Sequence, residues 1–201
     1  MKEENKMDLP RKLALNALYK IDQENAFSNI VLDEILNQNR DKLENRDINF
    51  ISELVYGVTT WKLTLDEIIQ MYSKIKLRKI NGWVLNILRL GAYQIVFLDK
   101  VPKSAAVNES VNLCKKYANR SSNFVNAILR KINKEDYNKI DEISDQIEKI
   151  SKKYAMPEWI VSRLLSQYGK EKTEEICKNS NIKPNMSIRV NELKTTKEKL
   201  T

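Results

Sequence analysis

Histidine is absent from the 201 residues, and cysteine occurs only at Cys114 and Cys177. The first absence removes the commonest acid–base of neutral pH and the commonest metal ligand. Two distant cysteines cannot complete a tetrahedral zinc site unaided. They are also too few for a disulfide framework, which points to a reducing cytoplasm. Each lies on an apolar helical stripe, Cys114 with Val107 and Val111, Cys177 with Thr173 and Ile176. Both therefore read as small buried hydrophobes. Four glycines and four prolines leave little to interrupt helices, in whose interiors those two residue types are the costly ones. No apolar run reaches the roughly 18–20 residues that span a bilayer. The opening stretch MKEENKMDLP has no apolar core of the kind a signal peptide needs.

What is plentiful is charge, unevenly placed. The net formal charge is +8. Residues 1–73 carry 9 basic and 13 acidic side chains, residues 74–131 carry 12 and 2, and residues 132–201 carry 14 and 12. A block of 58 residues with a net charge of +10 is a plausible electrostatic footprint for a polyanion. A lysine-rich solvated surface is the alternative.

Apolar spacing predicts helices nearly throughout. Pro10 suits a first helical turn, and Leu13, Ala14, Ala17, Leu18 and Ile21 mark one face. Ser28 is expected to cap the next helix, with Ile30, Val31 and Ile35 turned inward. Asn45 or Asp47 is expected to cap a third, which gives way to a fourth near Trp61–Leu63. The stretch NGWVLNILRLGAYQIVFLD is apolar almost all round, with a narrow polar strip of Asn86, Arg89 and Gln94. Such a helix belongs at the centre of a bundle. Gly91 at its middle costs about 1 kcal/mol in propensity, so it predicts close approach of another helix. KSAAVNESVNLCKKYA and NFVNAILRKI follow, the latter capped by Ser121 or Ser122, making six or seven helices by residue 132. Arg89 and Glu109 are candidates for a pair inside the bundle, and Trp61, Trp83 and Trp159 read as core.

Beyond residue 132 the chain becomes strongly charged, with Ile140, Ile143, Ile147 and Ile150 on one stripe: a connecting helix with a modest docking face. MPEWIVSRLLSQYG reads as a helix stopped by Gly169 in a left-handed conformation, and KEKTEEICKNSN as another. The last stretch, NMSIRVNELKTTKEKLT, alternates Met186, Ile188 and Val190 with polar residues, the period of a strand. Thr195 or Thr196 could then cap a helix beginning at Lys197. A lone strand leaves both edges unpaired, so its partners are expected on polypeptide beyond Thr201.

The pieces LDEII, ILRLGAYQI, VPKSAAVNESVNLCKKY and SNFVNAILRKI, in this order and spacing, resemble the NusB family of all-helical RNA-binding domains. The resemblance spans about residues 9–132. The continuation MPEWIVSRLLSQYGKE, then NIKPNMSIRVNELKTTKEKL, resembles the segment after the NusB-like domain in the Sun/RsmB family, enzymes that methylate cytosine C5 in small-subunit ribosomal RNA with S-adenosylmethionine. The resemblance implies an all-α NusB-like domain at 1–132, a charged helical linker at 133–155, and at 156–201 the start of a small α/β subdomain preceding a methyltransferase fold. It also implies an N-terminal fragment of a longer enzyme. S-adenosylmethionine is expected in the missing domain and no cofactor, metal or catalytic residue in this chain. The four glycines are isolated within helical patterns, and neither cysteine stands in the Pro-Cys or Thr-Cys context of the family's nucleophile.

RNA binding needs cations that track phosphates and groups that reach unpaired bases. Arg11 and Lys12 open the first helix, where NusB relatives carry an arginine-rich run; here Asp8 and Leu9 thin that run. Lys115, Lys116 and Arg120 precede a helix start at Ser121–Asn123 whose backbone N–H groups can hold a phosphate. Dipole complementation without a ligand is the alternative for the two lysines. Lys74, Lys76, Arg78 and Lys79 form a looser cluster. The expected partners are ribosomal RNA and the protein's own methyltransferase domain. A transcription antitermination factor pairing with a small ribosomal protein on leader RNA is the second reading, and a scaffold that hardly touches RNA the third.

Overall fold

The computed structural model describes residues 8–182, 188–191 and 193–199. Among the described residues seven α-helices precede residue 132: α1 (Leu9–Glu24), α2 (Ser28–Gln38), α3 (Asn45–Thr60), α4 (Lys62–Tyr72), α5 (Gly82–Phe97), α6 (Lys103–Ala118) and α7 (Ser122–Lys131). Local chemistry starts several of them. Asp8 caps α1 by accepting from the Arg11 N–H at 2.9 Å, with Pro10 in the first turn. Asn81 Oδ1 accepts from the Trp83 N–H at 2.9 Å at the head of α5. In α3 the cap position is Glu44, and Asp47 reaches back to accept from its N–H at 3.1 Å. Three caps differ from expectation: the cap position of α3 is Glu44 rather than Asn45 or Asp47. Ser28 is the first residue inside α2, whose cap position is Phe27, and Ile30 is 61% exposed while Val31, Leu32 and Ile35 are buried. Neither Ser121 nor Ser122 caps α7 through its side chain; Ser122 Oγ donates to the Asn119 carbonyl instead.

The bundle forms around α5, against which α1, α3, α4, α6 and α7 all pack. Two glycines make that density possible. A Cβ on Gly91 would lie 2.6 Å from Leu129 Cδ1 of α7 and 2.7 Å from Ser110 Oγ of α6, so three helices meet there. A Cβ on Gly57 would lie 2.0 Å from Cζ of Tyr93. The Tyr93 hydroxyl passes that point of α3 to donate to Glu53 Oε1 at 2.7 Å. Cys114 and Cys177 are both buried, and burial pushes the Cys114 thiol up to about 11.

The polar strip of α5 is internal. Arg89, 5% exposed, forks onto Asp66 of α4 (Nε–Oδ1 2.7 Å, Nη2–Oδ2 2.8 Å) and reaches Asp22 of α1 through Nη1 at 3.3 Å. Glu109 is therefore not its partner. Its nearest bond is a long one, 3.4 Å, from Asn112 Nδ2. Helix α5 needs a counter-charge on the α1/α4 side, where Arg89 emerges, whereas Glu109 lies on α6.

The expected single linking helix is two short helices, α8 (Asp136–Lys139) and α9 (Gln146–Tyr154), separated by a 3-10 turn at Ile140–Glu142. They are docked. Ile140 joins the main core, Ile150 a second cluster with Val161 and Cys177. Thr64 Oγ1 of α4 donates to the Lys152 carbonyl at 2.5 Å, and the hydroxyl of Tyr72 to Asp136 Oδ1 at 2.8 Å. Helix α10 (Glu158–Ser180) is broken at Gly169, with φ 72° and ψ 179°. That region is open essentially to glycine alone, so glycine does end a helix there, in an extended rather than a left-handed helical conformation.

The expected strand begins at Met186 and Ser187, outside the described residues. Ile188–Val190 carry no regular structure, Ile188 is exposed, and no strand occurs among the described residues. The start of an α/β subdomain is thus not formed among them, as a strand without an edge to pair with is not stable alone. The expected final helix is a single 3-10 turn at Lys197–Lys199. No helix among the described residues is long and apolar enough to cross a membrane.

Candidate nucleic-acid interface

Two of the sequence's cation groups meet in space. Along α1 the buried residues Leu13, Ala14, Ala17 and Leu18 leave Lys12, Asn16 and Tyr19 on the flank. Along α6 the buried Val107, Ser110, Leu113 and Cys114 leave Lys115 and Lys116 exposed in the last turn. The helices are tied where the Tyr117 hydroxyl donates to Asn16 Oδ1 at 2.9 Å. Lys12 and Lys116 are thereby pressed together. The charge of Lys116, with burial and the more distant Lys42, holds Lys12 below the usual lysine range. Among the described residues none of Lys12, Lys42, Lys115, Lys116 and Arg120 has an acidic partner within 4.0 Å. A like-charge group without counter-ions is unfavourable by itself, and a phosphate relieves it.

Arg120 is exposed in the 3-10 turn that follows α6, Ser121 is half-buried, and Asn123 is exposed in the first turn of α7. Arg11 is elsewhere. Its side chain is 11% exposed, with Nη1 on Asp8 Oδ2 at 2.6 Å, Nε donating to the buried Gln94 at 2.7 Å, and its guanidinium over the Phe50 ring. One residue along α1 is a rotation of about 100°, so Arg11 turns inward where Lys12 turns out. It anchors α1 to α5 and offers no free charge.

The looser cluster lines a groove of about 680 Å³, where Lys74, Lys76, Arg78 and Lys152 face Asp66 and Glu67. Its acids temper it. Spacing gave no sign of Lys42, which lies 30 residues from Lys12 in a 3-10 turn (Arg40–Lys42). Of the three tryptophans, Trp61 is packed against Phe97 and Tyr137, Trp83 is half-buried, and Trp159 is 69% exposed, against the expectation of core.

Residues 8–134 match the NusB family model. The chain belongs to the NusB family. Residues 156–201 match a second model, the ferredoxin-like domain of RsmF/B-like methyltransferases. The probable ribosomal RNA small subunit methyltransferase B of Bacillus subtilis is 35% identical over 94% of the chain, and the chain spans 42% of that relative's length. The transcription antitermination protein NusB of Listeria innocua is 32% identical over 63% of the chain and 94% of its own. The solved NusB of T. maritima superposes with a TM-score of 0.57 at 24% identity, covering 63% of this chain and 89% of that one. The fold is thus that of NusB proteins over α1–α7, with the cation group at the meeting of α1 and α6.

Proposed function

We propose that this chain is the RNA-binding, non-catalytic N-terminal region of an S-adenosylmethionine-dependent small-subunit ribosomal RNA cytosine-C5 methyltransferase acting in the cytoplasm. The observation that carries the reading is continuity. Similarity to a ribosomal RNA methyltransferase runs through both modules and 94% of the chain. Similarity to an antitermination protein covers 63% and leaves 156–201 without a role, which makes antitermination the weaker alternative. Methyl transfer and S-adenosylmethionine belong, on this reading, to a further domain, which is also the expected partner of α8–α10. Lys12, Lys116 and Lys42 hold phosphates, with Lys115, Arg120, Ser121 and Asn123 extending the surface.

The test is a titration of a small-subunit rRNA fragment at two salt concentrations. Affinity is expected to fall steeply with salt, and Lys12→Ala or Lys116→Ala to flatten the log–log slope by about 0.7–1 each. Undetectable or salt-independent binding overturns the reading.

A further inference from the structure

A cleft of about 770 Å³ opens where α3 meets the end of α10. Residues of α3 between Asn49 and Thr60 line it together with Trp61, and Ser180, Asn181 and Ile182 line it from the end of α10. Among the described residues that line it, Glu53 is the only charged one, although the chain as a whole carries +8. The Glu53 side chain is held in place: Tyr93 donates to Oε1 at 2.7 Å through the space that Gly57 leaves. No Lys or Arg nitrogen among the described residues lies within 4.0 Å of it. The serine protons of the lining are already engaged. Ser52 Oγ donates to the Ile48 carbonyl at 2.7 Å and Ser180 Oγ to the Ile176 carbonyl at 2.8 Å, so both hydroxyls retain only lone pairs. Helix α10 ends at Ser180, which brings the negative end of its dipole to the cleft. Tyr56, 44% exposed, and Trp61, packed against Phe97 and Tyr137, add aromatic surface.

A carboxylate, acceptor lone pairs, a helix C-terminus and aromatic rings all favour one kind of guest: a cation rich in N–H donors that can lie on a π-face. A polyanion is disfavoured by the first three, so this face does not extend the α1–α6 cation group. We propose that the α3–α10 cleft is a docking site for a polypeptide segment that presents an arginine, whose guanidinium pairs with Glu53 and packs on Tyr56. Arginine suits it better than lysine, because a planar guanidinium offers its donors in a fixed fork and stacks on aromatic rings. One carboxylate matches one cation, whereas a free polyamine brings further, unmatched charges to a basic protein. The volume lies within the ordinary range of ligand clefts and leaves room beyond the guanidinium for the residues that carry it. The inference stands independently of the RNA-binding reading.

The experiment titrates the 201-residue chain with three probes while following backbone amide NMR shifts. The probes are a blocked Gly-Gly-Arg-Gly-Gly peptide, the same peptide with neutral citrulline in place of arginine, and spermidine. Millimolar binding of the arginine peptide is expected, with shifts centred on Glu53 and Asn181. Citrulline, which keeps the shape and loses the charge, should bind about tenfold more weakly. Glu53→Gln keeps an oxygen for the Tyr93 hydroxyl and should weaken the arginine peptide by a similar factor, leaving citrulline binding unchanged. Tyr56→Ala, at an exposed position, should lower affinity about two- to fivefold. If Glu53→Gln fails to fold, the citrulline comparison on the parent chain and Tyr56→Ala decide in its place. Four results overturn the proposal: no binding at millimolar peptide, equal affinity for arginine and citrulline, arginine binding undiminished in Glu53→Gln and Tyr56→Ala, or shifts centred away from the cleft. Tighter binding of spermidine than of the arginine peptide at the cleft also overturns it, since the occupant is then a free polyamine.

Discussion

Arg89 illustrates what one residue can decide. A buried guanidinium must be paired, because removing one partner of a buried ion pair leaves an uncompensated charge. Its fork onto Asp66 supplies two bonds and its reach to Asp22 a third, which joins α1, α4 and α5 at one point. Burial opposes ionisation of Asp22, but Lys62, Arg89 and Asn86 together outweigh it and hold its carboxyl below the ordinary range. Asp66→Ala is expected to cost about 3 kcal/mol of folding stability. Asp22→Asn should cost less, since it keeps a polar partner and leaves the fork intact. Urea melts of both variants check the order. Histidine's absence, Gly91 and the cysteines were legible as sequence, because each argument needs only the residue and its neighbours on one helix. The partner of Arg89 was not, since Asp66 and Glu109 were both available acids and only the fold chooses between them.

Among the elements, α10 depends on Gly169 for conformational reasons alone. A Cβ at that position would meet nothing within 4 Å, so the objection to any other residue lies in its backbone angles. Gly169→Ala is expected to destabilise by about 1–3 kcal/mol through backbone strain. If instead α10 straightens, the bond from Asn181 Nδ2 to the Tyr154 carbonyl, 2.7 Å long, is the first to break. Hydrogen exchange across 170–181 in the variant distinguishes the two, and unchanged stability with unchanged protection would contradict the strain argument. The helix was readable from its apolar spacing and the break from its glycine. The division of the linker into α8 and α9 was not, because its isoleucines are spaced well enough for one helix. The choice came from docking on α4, where Tyr72 and Thr64 take up Asp136 and the Lys152 carbonyl.

At the level of the whole molecule, the proposed RNA-binding role of the cation group at the α1–α6 meeting carries an expected pH dependence. Lys116 depresses the pKa of Lys12 in the free, folded protein, and bound phosphates raise it again, so binding takes up protons where Lys12 is partly neutral. Affinity is therefore full below the free-state pKa and weakens as pH rises through it. Because that pKa lies below the ordinary lysine value of 10.5, the decline begins earlier than for an isolated lysine. Lys116→Ala should move its onset upward while lowering the affinity overall. Binding measured from about pH 8 to 10.5 tests this, and an onset unmoved by Lys116→Ala would contradict the coupling.

The amino-acid sequence by itself determined that the chain is helical, that α5 is central and that positive charge concentrates in residues 74–131. Composition and periodicity act through neighbours within a turn or two, so those features survive without knowledge of the fold. Which acid answers Arg89, that Arg11 faces inward and that Lys12 meets Lys116 were decided only by tertiary structure. Each depends on how helices are rotated against one another, and a rotation of about 100° per residue separates a buried strut from an exposed cation.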